Sequence, residues 1–597
     1  MTRLTHPVTA LATVLCASAF LPAAPAFAQY QWSDDEVSSS SASSSLPPAP
    51  STPYGYPGDS SSQSSDGYGD GGGYGDGNGS RPSGAPVRQR LRIDPYIEAN
   101  SIASWQISPG SDVVTYTQLA AGVDASVAGR NNGGSLSVRY ERNFAHQSDA
   151  ADSDTITGIA RGYASIVPRV LTVEAGALAS STRVDAQGRS VINPIVDDNV
   201  STQTYSAYAG PNLQTRMGDV DVSANYRIGY TRVDGPDFVT AAGTPADLFD
   251  ESVSHSATVR AGTRPGQPLP VGLGVGAGYY QEDISNLDQR VRDAYVRGDV
   301  TVPITPTLAF VAGAGVEDVE VSSRDAVRDA EGNPIIGDNG RYITDEASPR
   351  IIAYEASGLI WDVGVVWTPS SRTQLEAHFG HRYDSETFYG SFSWRPSSRS
   401  NLQIGVYDGI QGFGGRLNNS LAALPTDFDV TRDPVTGELT GCVSTLDGSG
   451  CLDGLLGSLR SSVFRGRGVV ASYSRQIGRM TAGIGAGYDR RKFIGAPGTV
   501  LELADGLVDE SYYVTAGLSG PVGQRGNFSV NSYANWFNSG SAGVGDVSAI
   551  GGSASYSEQV FRNLSARAAV AISMLDSDLA PDNFTTASAL LGLRYDF

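Results

Sequence analysis

Lysine, cysteine and long apolar runs are almost absent from this sequence. Lysine and arginine together number 42, but Lys492 is the one lysine, and only three cysteines occur. After residue 28 there is no run of about 18 apolar residues, so this part of the chain contains no helical membrane span. It is therefore either soluble or a protein that crosses a membrane with strands.

The N-terminus predicts export. Residues 1–28 combine a basic Arg3, an apolar stretch from Val8 to Leu21 and the small-residue cleavage site Ala26-Phe27-Ala28, as a signal peptide does. Cys16 lies inside this segment and is removed with it. Residues 29–90 are rich in Ser, Gly, Pro, Tyr and Asp and offer little apolar surface to bury, which predicts a disordered periplasmic linker. The alternative to a flexible linker is a tail that binds partners through its repeated Gly-Tyr-Gly-Asp units.

From residue 91 onward, apolar and polar residues alternate in short segments. Successive side chains of a strand point to opposite faces, so each segment has one apolar face and one polar face. The last segment, TTASALLGLRYDF, shows the pattern up to the final residue. Its apolar face carries Ala589, Leu591, Leu593, Tyr595 and Phe597, and its other face carries Gly592, Arg594, Asp596 and, as an exception, Leu590.

Connection lengths separate a membrane barrel from a soluble sandwich. We count about 22 strands, with short connections after even-numbered strands, such as Met217-Gly218-Asp219 and Ile477-Gly478-Arg479. Connections after odd-numbered strands are mostly longer, as at Asp325 to Pro349 and at Gly415 to Arg460. This sorting predicts an all-β fold, a transmembrane antiparallel up-and-down barrel of residues 91–597, with its long connections outside the cell.

The barrel prediction assigns roles to individual side chains. Leu593, Tyr595 and Phe597 resemble the C-terminal signal by which the barrel-assembly machinery recognises outer-membrane proteins. The same alternation predicts charges of both signs in the lumen, either as a structural ion-pair network or as a guide for a hydrophilic solute. These candidate lumen-facing residues are Arg139, Arg297, Asp299, Arg382, Asp489, Arg594 and Asp596.

Residues that could support catalysis or hold a metal are scarce. His378 and His381 are three apart, which places them on opposite faces of a strand, and no nucleophile elbow or zinc-protease motif occurs. We therefore predict no catalytic residue, no metal site and no cofactor. The acidic stretch 325–333 lacks EF-hand spacing and is interpreted as a solvated loop rather than a calcium site. A net charge of −21 argues against binding nucleic acid.

Cys442 and Cys451 are nine residues apart in GCVSTLDGSGC, inside the longest predicted outside connection. In an oxidising compartment a pair this close in sequence predicts a disulfide that clips the loop. Binding of a metal by two thiols alone is the weaker interpretation.

Two stretches resemble a known family. RIDPYIEANSIASWQISPGSDVVTYTQLAAGVDASV, from Arg92, and TPSSRTQLEAHFGHRYDSETFYGSFSWRPSSRSNLQIGVYDG, from Thr368, are similar to outer-membrane β-barrel proteins associated with exopolysaccharide and PEP-CTERM protein-sorting systems. The resemblance implies an outer-membrane location and polysaccharide-export components as partners, and no catalytic residue. Nothing in the sequence matches the short, single-helix preprotein-translocase subunit YajC.

Three functions remain open on the sequence. The first is an open pore or export-associated barrel for hydrophilic solutes or surface polysaccharide, in contact with outer-membrane lipid. The second is a plugged structural or adhesion barrel that acts through its long loops. An outer-membrane enzyme is disfavoured by the lack of a histidine cluster. A TonB-type receptor would need a folded N-terminal plug, which residues 29–90 do not supply.

Overall fold

The structure of the chain is a computed structural model. It describes residues 90–147, 152–183, 201–235, 248–266, 268–337, 339–444, 449–451, 459–540, 545–578 and 583–597. The predicted signal peptide and, apart from Arg90, the predicted linker lie outside the described residues.

Strands account for most of the described chain. They are β1 Arg90–Ser108, β2 Val113–Ala128, β3 Asn132–Ala145, β4 Ser153–Val167, β5 Leu171–Arg183, β6 Ser201–Met217, β7 Val220–Asp234, β8 Glu251–Thr263, β9 Gly272–Ile284, β10 Gln289–Thr305, β11 Leu308–Ser323, β12 Ile351–Ser370, β13 Thr373–Arg382, β14 Ser385–Ser397, β15 Ser400–Gln411, β16 Asp429–Arg432, β17 Leu439–Ser444, β18 Ser449–Cys451, β19 Phe464–Ile477, β20 Met480–Phe493, β21 Val508–Val522, β22 Gly526–Asn538, β23 Val547–Phe561, β24 Leu564–Ser577 and β25 Phe584–Asp596. Among the described residues one α-helix occurs, α1 Phe413–Ala423, and short 3-10 helices span Asn286–Asp288 and Val500–Ala504.

Twenty-two of these strands form one closed antiparallel sheet. Each strand pairs with its neighbour in sequence, with β19 following β15, and the ring closes where β1 pairs with β25. Closure leaves no sheet edge, so the backbone donors and acceptors of the wall are paired within the sheet. The prediction of an up-and-down barrel of about 22 strands is confirmed. Strands β16, β17 and β18 form a separate small sheet.

The connections are sorted between the two ends of the barrel. At one end, which we call the short-connection end, most strands are joined by two or three residues, as at 218–219 and 478–479. One connection there, residues 264–271, is longer. The opposite, long-connection end carries the segments 324–350 and 412–463. This is the arrangement that the sequence predicts.

The exterior of the wall is apolar. Leu591, Leu593 and Phe597 are 70%, 50% and 69% exposed, and the Tyr595 and Phe597 rings meet edge to face at 5.1 Å. Exposed Val, Ile and Leu side chains recur along the outer face of the other strands, where an aqueous surface would disfavour them and hydrocarbon does not. No helix of the described chain is long and apolar enough to span a membrane.

The interior is filled toward the long-connection end. Along β10, the inward-facing Val291 and Asp293 are buried, whereas Pro303 and Thr305, near the short-connection end, are exposed. The filled half contains an apolar core to which the wall and the residues after β15 both contribute. Its members include Ile159, Leu178, Tyr208, Val233, Phe249, Ile284, Phe413, Leu417, Leu421, Leu459 and Val463.

Candidate functional site

The connection between β15 and β19 enters the barrel. We call residues 412–463 the lumenal segment; residues 412–444, 449–451 and 459–463 of it are described. Gln411 and Phe464, on either side of it, are register partners in the wall, so the segment leaves and rejoins adjacent strands. The sequence analysis predicts a long connection on the outer side of the membrane and does not anticipate that it enters the lumen. The described part folds inward from the long-connection end, because apolar residues at helical spacing draw it into the lumen.

Helix α1 begins the lumenal segment and supplies its apolar side chains. Phe413, Leu417 and Leu421 follow one another at intervals of four residues, which puts them on one face of the helix. Leu417 and Leu421 are completely buried. The Phe413 ring meets Phe249, near the end of the β7–β8 connection, edge to face at 5.1 Å. A core of this kind inside a barrel wall holds the helix by burial of apolar surface.

A wall carboxylate caps the start of α1. The N-cap residue Gly412 provides no side chain, and Glu282 of β9 takes its place: its carboxylate accepts the backbone N–H of Gly412 at 2.7 Å and of Gly415 at 2.8 Å. Ser252 and Tyr280 also donate to it, at 3.0 and 2.6 Å. Glu282 is fully buried. Its negative charge lies where the unpaired N–H groups and the helix dipole favour an anion.

Glycine is required where α1 approaches β8 and β9. A Cβ atom at position 415 would lie 1.8 Å from the Tyr280 hydroxyl oxygen and 2.5 Å from Glu282 Oε2. At position 414 it would lie 2.1 Å from the Ser252 hydroxyl oxygen. The Gly-Phe-Gly-Gly stretch therefore allows the helix backbone to reach the wall carboxylate.

Polar contacts tie α1 to two separate parts of the wall. Arg416 pairs with Asp489 of β20 at 2.8 Å and lies over the ring of Tyr407 of β15 at 4.4 Å. On the other side, Asn418 accepts from Ser206 of β6 at 3.0 Å and donates to Thr231 of β7 at 3.2 Å. Because β6 and β7 are far from β15 and β20 around the ring, the helix bridges the lumen.

The chain beyond α1 continues along the inner wall. The backbone N–H of Phe428 donates to Ser135 of β3 at 3.3 Å. Arg432 of β16 donates to the Ser137 hydroxyl at 3.1 Å and to Thr157 of β4. Burial lowers the pKa of the Arg432 guanidinium, and the nearby Arg139 guanidinium lowers it further, while Tyr96 and Asp124 act in the opposite direction.

Val435 completes the path across the lumen. It is 2% exposed and forms a buried apolar cluster with Ile102 of β1, Ala569 of β24 and Leu590 of β25. Leu590 is the apolar exception on the inward face of the last strand. The exception is thus explained by a partner that comes from the lumenal segment.

The seven predicted lumen-facing charges lie on the inner wall in ion pairs. Arg139 bonds Glu141 at 2.9 Å and also pairs with Glu98, and all three side chains are nearly fully buried. Arg594 bonds Asp596 at 2.8 Å and reaches the same Glu98 at 3.4 Å. Asp489 is held by Arg416 and by Arg491, the latter at 2.7 Å.

A second network covers β8 to β13. Arg297 bonds Asp362 at 2.7 and 2.8 Å, and Asp299 forms two bonds of 2.7 Å with Arg260. Arg382, the largest fully buried side chain, reaches Asp293 at 2.6 Å and Glu317 at 2.7 Å. Pairing of this kind offsets part of the desolvation cost that each buried ion would carry alone.

The histidines and the acidic loop form no metal site among the described residues. His378 is buried beside Asp362 at 2.8 Å and stacks on Tyr389 at 4.6 Å, whereas His381 lies on the opposite face of β13. In the acidic loop, Asp329 accepts the backbone N–H groups of Glu331 and Asn333, at 3.0 and 2.7 Å. These bonds hold a turn, and they lower the pKa of the exposed Asp329 carboxyl.

Cys442 and Cys451 are register partners in the small sheet, on the antiparallel strands β17 and β18. Residues directly opposite in such a pair have Cβ atoms about 4.5–5.5 Å apart, close to what a disulfide needs. The disulfide remains a prediction.

The sequence analysis missed Glu282, α1 and Val435. The helical spacing of Phe413, Leu417 and Leu421 is visible in the sequence and could have signalled a buried helix. Glu282 carries no such signal, because its partners at the start of α1 are backbone groups 130 and 133 residues away.

No protein-family model matches the sequence, and no match was found among curated proteins. Several solved structures are similar in overall fold. The FrpB iron transporter from Neisseria meningitidis (F3-3 variant) is 10% identical with a TM-score of 0.42, covering 84% of this chain and 81% of that chain. The ferric-catecholate import receptor Fiu from E. coli K12, in its closed form, is 10% identical with a TM-score of 0.40, covering 85% and 82%. The siderophore receptor PiuA from Acinetobacter baumannii is 9% identical with a TM-score of 0.37, covering 84% and 82%.

Proposed function

We propose that this chain is an outer-membrane transport barrel for a hydrophilic solute and that the lumenal segment closes it at rest. The observation that carries the proposal is the bridge formed by α1 between opposite parts of the wall, held by Glu282 on one strand and by Asp489 on another. The proposal includes no catalytic step and no cofactor.

The outer membrane is the location that suits the chain. A closed barrel with an apolar exterior requires hydrocarbon around it, and the predicted signal peptide would deliver the chain across the inner membrane. The short connections would then face the periplasm, together with the predicted linker, and the long connections would face outward. The ending Leu593, Tyr595 and Phe597 would serve the assembly machinery.

Transport is supported by the difference between the two halves of the lumen. The half toward the short connections is open to solvent along β10, and the other half is blocked by a segment whose two ends join the wall at neighbouring residues, Gln411 and Phe464. Such a segment can move without breaking the ring of strands. A barrel of 22 strands is wider than the 16 to 18 strands that already form an aqueous channel.

A surface polysaccharide is the solute class that we propose. The proposal rests on the sequence resemblance from Arg92 and from Thr368, together with the paired charges and the hydroxyl groups of the inner wall. Polysaccharide-export components would be the corresponding partners.

The test is conductance in planar lipid bilayers. The mature protein is compared with a variant in which residues 413–459 are replaced by four Gly and Ser residues, which can join the adjacent ends of β15 and β19. A matched control shortens residues 326–348, the other long connection, in the same way. We expect little conductance from the mature protein and the control, and large, stable openings from the variant without residues 413–459.

A second candidate is the plugged structural or adhesion barrel. It is favoured by the size of the apolar core inside the barrel, to which strands from β4 to β15 contribute. If the variant that lacks residues 413–459 folds but does not conduct, the transport proposal is wrong, and this second function takes its place.

A further inference from the structure

Four cationic side chains form a square on the outer face of the barrel. Arg465 and Arg467 of β19 are register partners of Lys492 and Arg490 of β20, respectively. All four alternate with residues that face the lumen, such as Phe464, Asp489 and Arg491, so they point away from it. We call them the cationic square. It lies at the long-connection end of both strands.

This arrangement is unfavourable unless an anion is present. Like charges directly opposite each other on neighbouring strands repel. Among the described residues, only two carboxylates lie within ion-pair distance of the four cations. Asp408 bonds Arg465 at 2.8 Å and Arg467 at 3.0 Å, and Glu510 lies 3.9 Å from Arg490. Among the described residues no carboxylate pairs with Lys492, the one lysine of the chain.

An apolar groove continues from the cationic square along the wall. It has a volume of about 620 Å³ and is lined on the outer face by Val469, Ala471, Tyr488, Tyr512, Val514 and Trp536. The Tyr488 and Tyr512 rings lie 4.9 Å apart, and the Tyr488 hydroxyl donates to Glu510 at 2.8 Å. Tyrosine and tryptophan in this position are typical of the level where lipid headgroups meet hydrocarbon.

We propose that the cationic square and the groove form a binding site for a phosphorylated lipid of the outer leaflet. The phosphate would lie against Arg490 and Lys492, which have the least carboxylate compensation, and an acyl chain would occupy the groove beside Tyr512 and Trp536. Guanidinium and ammonium groups are the usual ligands of phosphate. The order of charge, aromatic rings and apolar groove along the wall matches the order of phosphate, interface and chain in a lipid.

A double variant tests the site. R490Q/K492Q removes the two least compensated cations, and R475Q/R479Q removes two cations at the short-connection end of the same hairpin as a matched control. The mature protein in detergent is titrated with diphosphorylated lipid A and measured by native mass spectrometry. We expect R490Q/K492Q to weaken lipid A binding at least tenfold, and the control to bind like the unaltered protein.

Two further measurements distinguish binding of a phosphorylated lipid from binding of any lipid and from binding of free phosphate. Phosphatidylcholine of the same chain length should bind at least tenfold more weakly than lipid A, and inorganic phosphate should not displace lipid A. Heat-dependent gel migration verifies that each variant is folded. Equal lipid A binding by the unaltered protein and a folded R490Q/K492Q overturns the proposal. Displacement by inorganic phosphate also overturns it, in favour of a free-anion site.

Discussion

The carboxylate of Glu282 lies 2.7 Å from the backbone nitrogen of Gly412, which joins the barrel wall to the first residue of the lumenal segment. The acceptor of this hydrogen bond is the negatively charged carboxylate of Glu282, which is fully buried, and the donor is the backbone N–H at the point where α1 begins. A hydrogen bond to a buried ion contributes about 1.5–3 kcal/mol, more than a neutral one. This contact is therefore the point at which a single substitution should loosen the closed state.

Glu282→Gln should increase the fraction of time the barrel is open. The amide keeps the shape of the side chain but removes the negative charge from the helix start, so the closed state loses roughly 1.4 kcal/mol, which is about tenfold in the open-to-closed ratio. Single-channel recording measures this ratio. Glu320→Gln, on β11 beside Arg292, is the matched control and should leave it unchanged. An unchanged ratio in both variants would show that Glu282 does not hold the segment.

Gly415→Ala should also loosen the segment, although alanine normally favours a helix over glycine. The new methyl group would meet the Tyr280 hydroxyl oxygen and the Glu282 carboxylate, and overpacking of this kind costs about 1–3 kcal/mol. Limited proteolysis within residues 412–463 should become faster. At Gly483 of β20 a Cβ atom would have no neighbour within 4 Å, so Gly483→Ala is the control. Equal cleavage rates in the two variants would contradict the close approach.

The wall of the barrel was predictable because it depends on a two-residue period and on short turns. Leu593 and Arg594 fall on opposite faces for a reason that is local to their strand. The closed lumen was not predictable in the same way. Glu282 finds its partners at Gly412 and Gly415, and Val435 meets Leu590, so these contacts depend on the path of the whole chain.

The cysteine pair should contain no free thiol in the mature protein. Cys442 and Cys451 are opposite each other on β17 and β18, and Cys16 belongs to the predicted signal peptide. Alkylation of the unfolded protein without reductant should modify neither cysteine, and alkylation after reduction should modify both. Peptide mass spectrometry distinguishes the two results. Complete alkylation without reductant, in protein purified from an oxidising compartment, would show that the disulfide does not form.

Arg382→Met should destabilise the barrel by about 3–5 kcal/mol, because it leaves Asp293 and Glu317 without their shared cation in a buried place. Urea unfolding in lipid vesicles measures the change. The control is Arg92→Met, since Arg92 pairs with Asp94 on an exposed surface and should contribute less than about 1 kcal/mol. A loss of the same size in both variants would contradict the role of burial.

Leu590→Ala and Leu591→Ala test which face of the last strand contacts protein. Leu590 is 1% exposed and packs with Val435 and Ile102, whereas its neighbour Leu591 is 70% exposed on the exterior. Truncating a buried leucine costs about 2–5 kcal/mol through lost contacts and the cavity that remains. Leu591 lies on the exterior, where lipid or detergent would refill the space, so its truncation should cost much less. Urea unfolding in vesicles should therefore rank Leu590→Ala far below Leu591→Ala in stability.

In the variant that lacks residues 413–459, Val435 is gone, and the difference in stability between Leu590→Ala and Leu591→Ala should shrink. If this difference in stability is unchanged in the shortened variant, Leu590 is buried by the wall alone, and the lumenal segment does not reach the last strand.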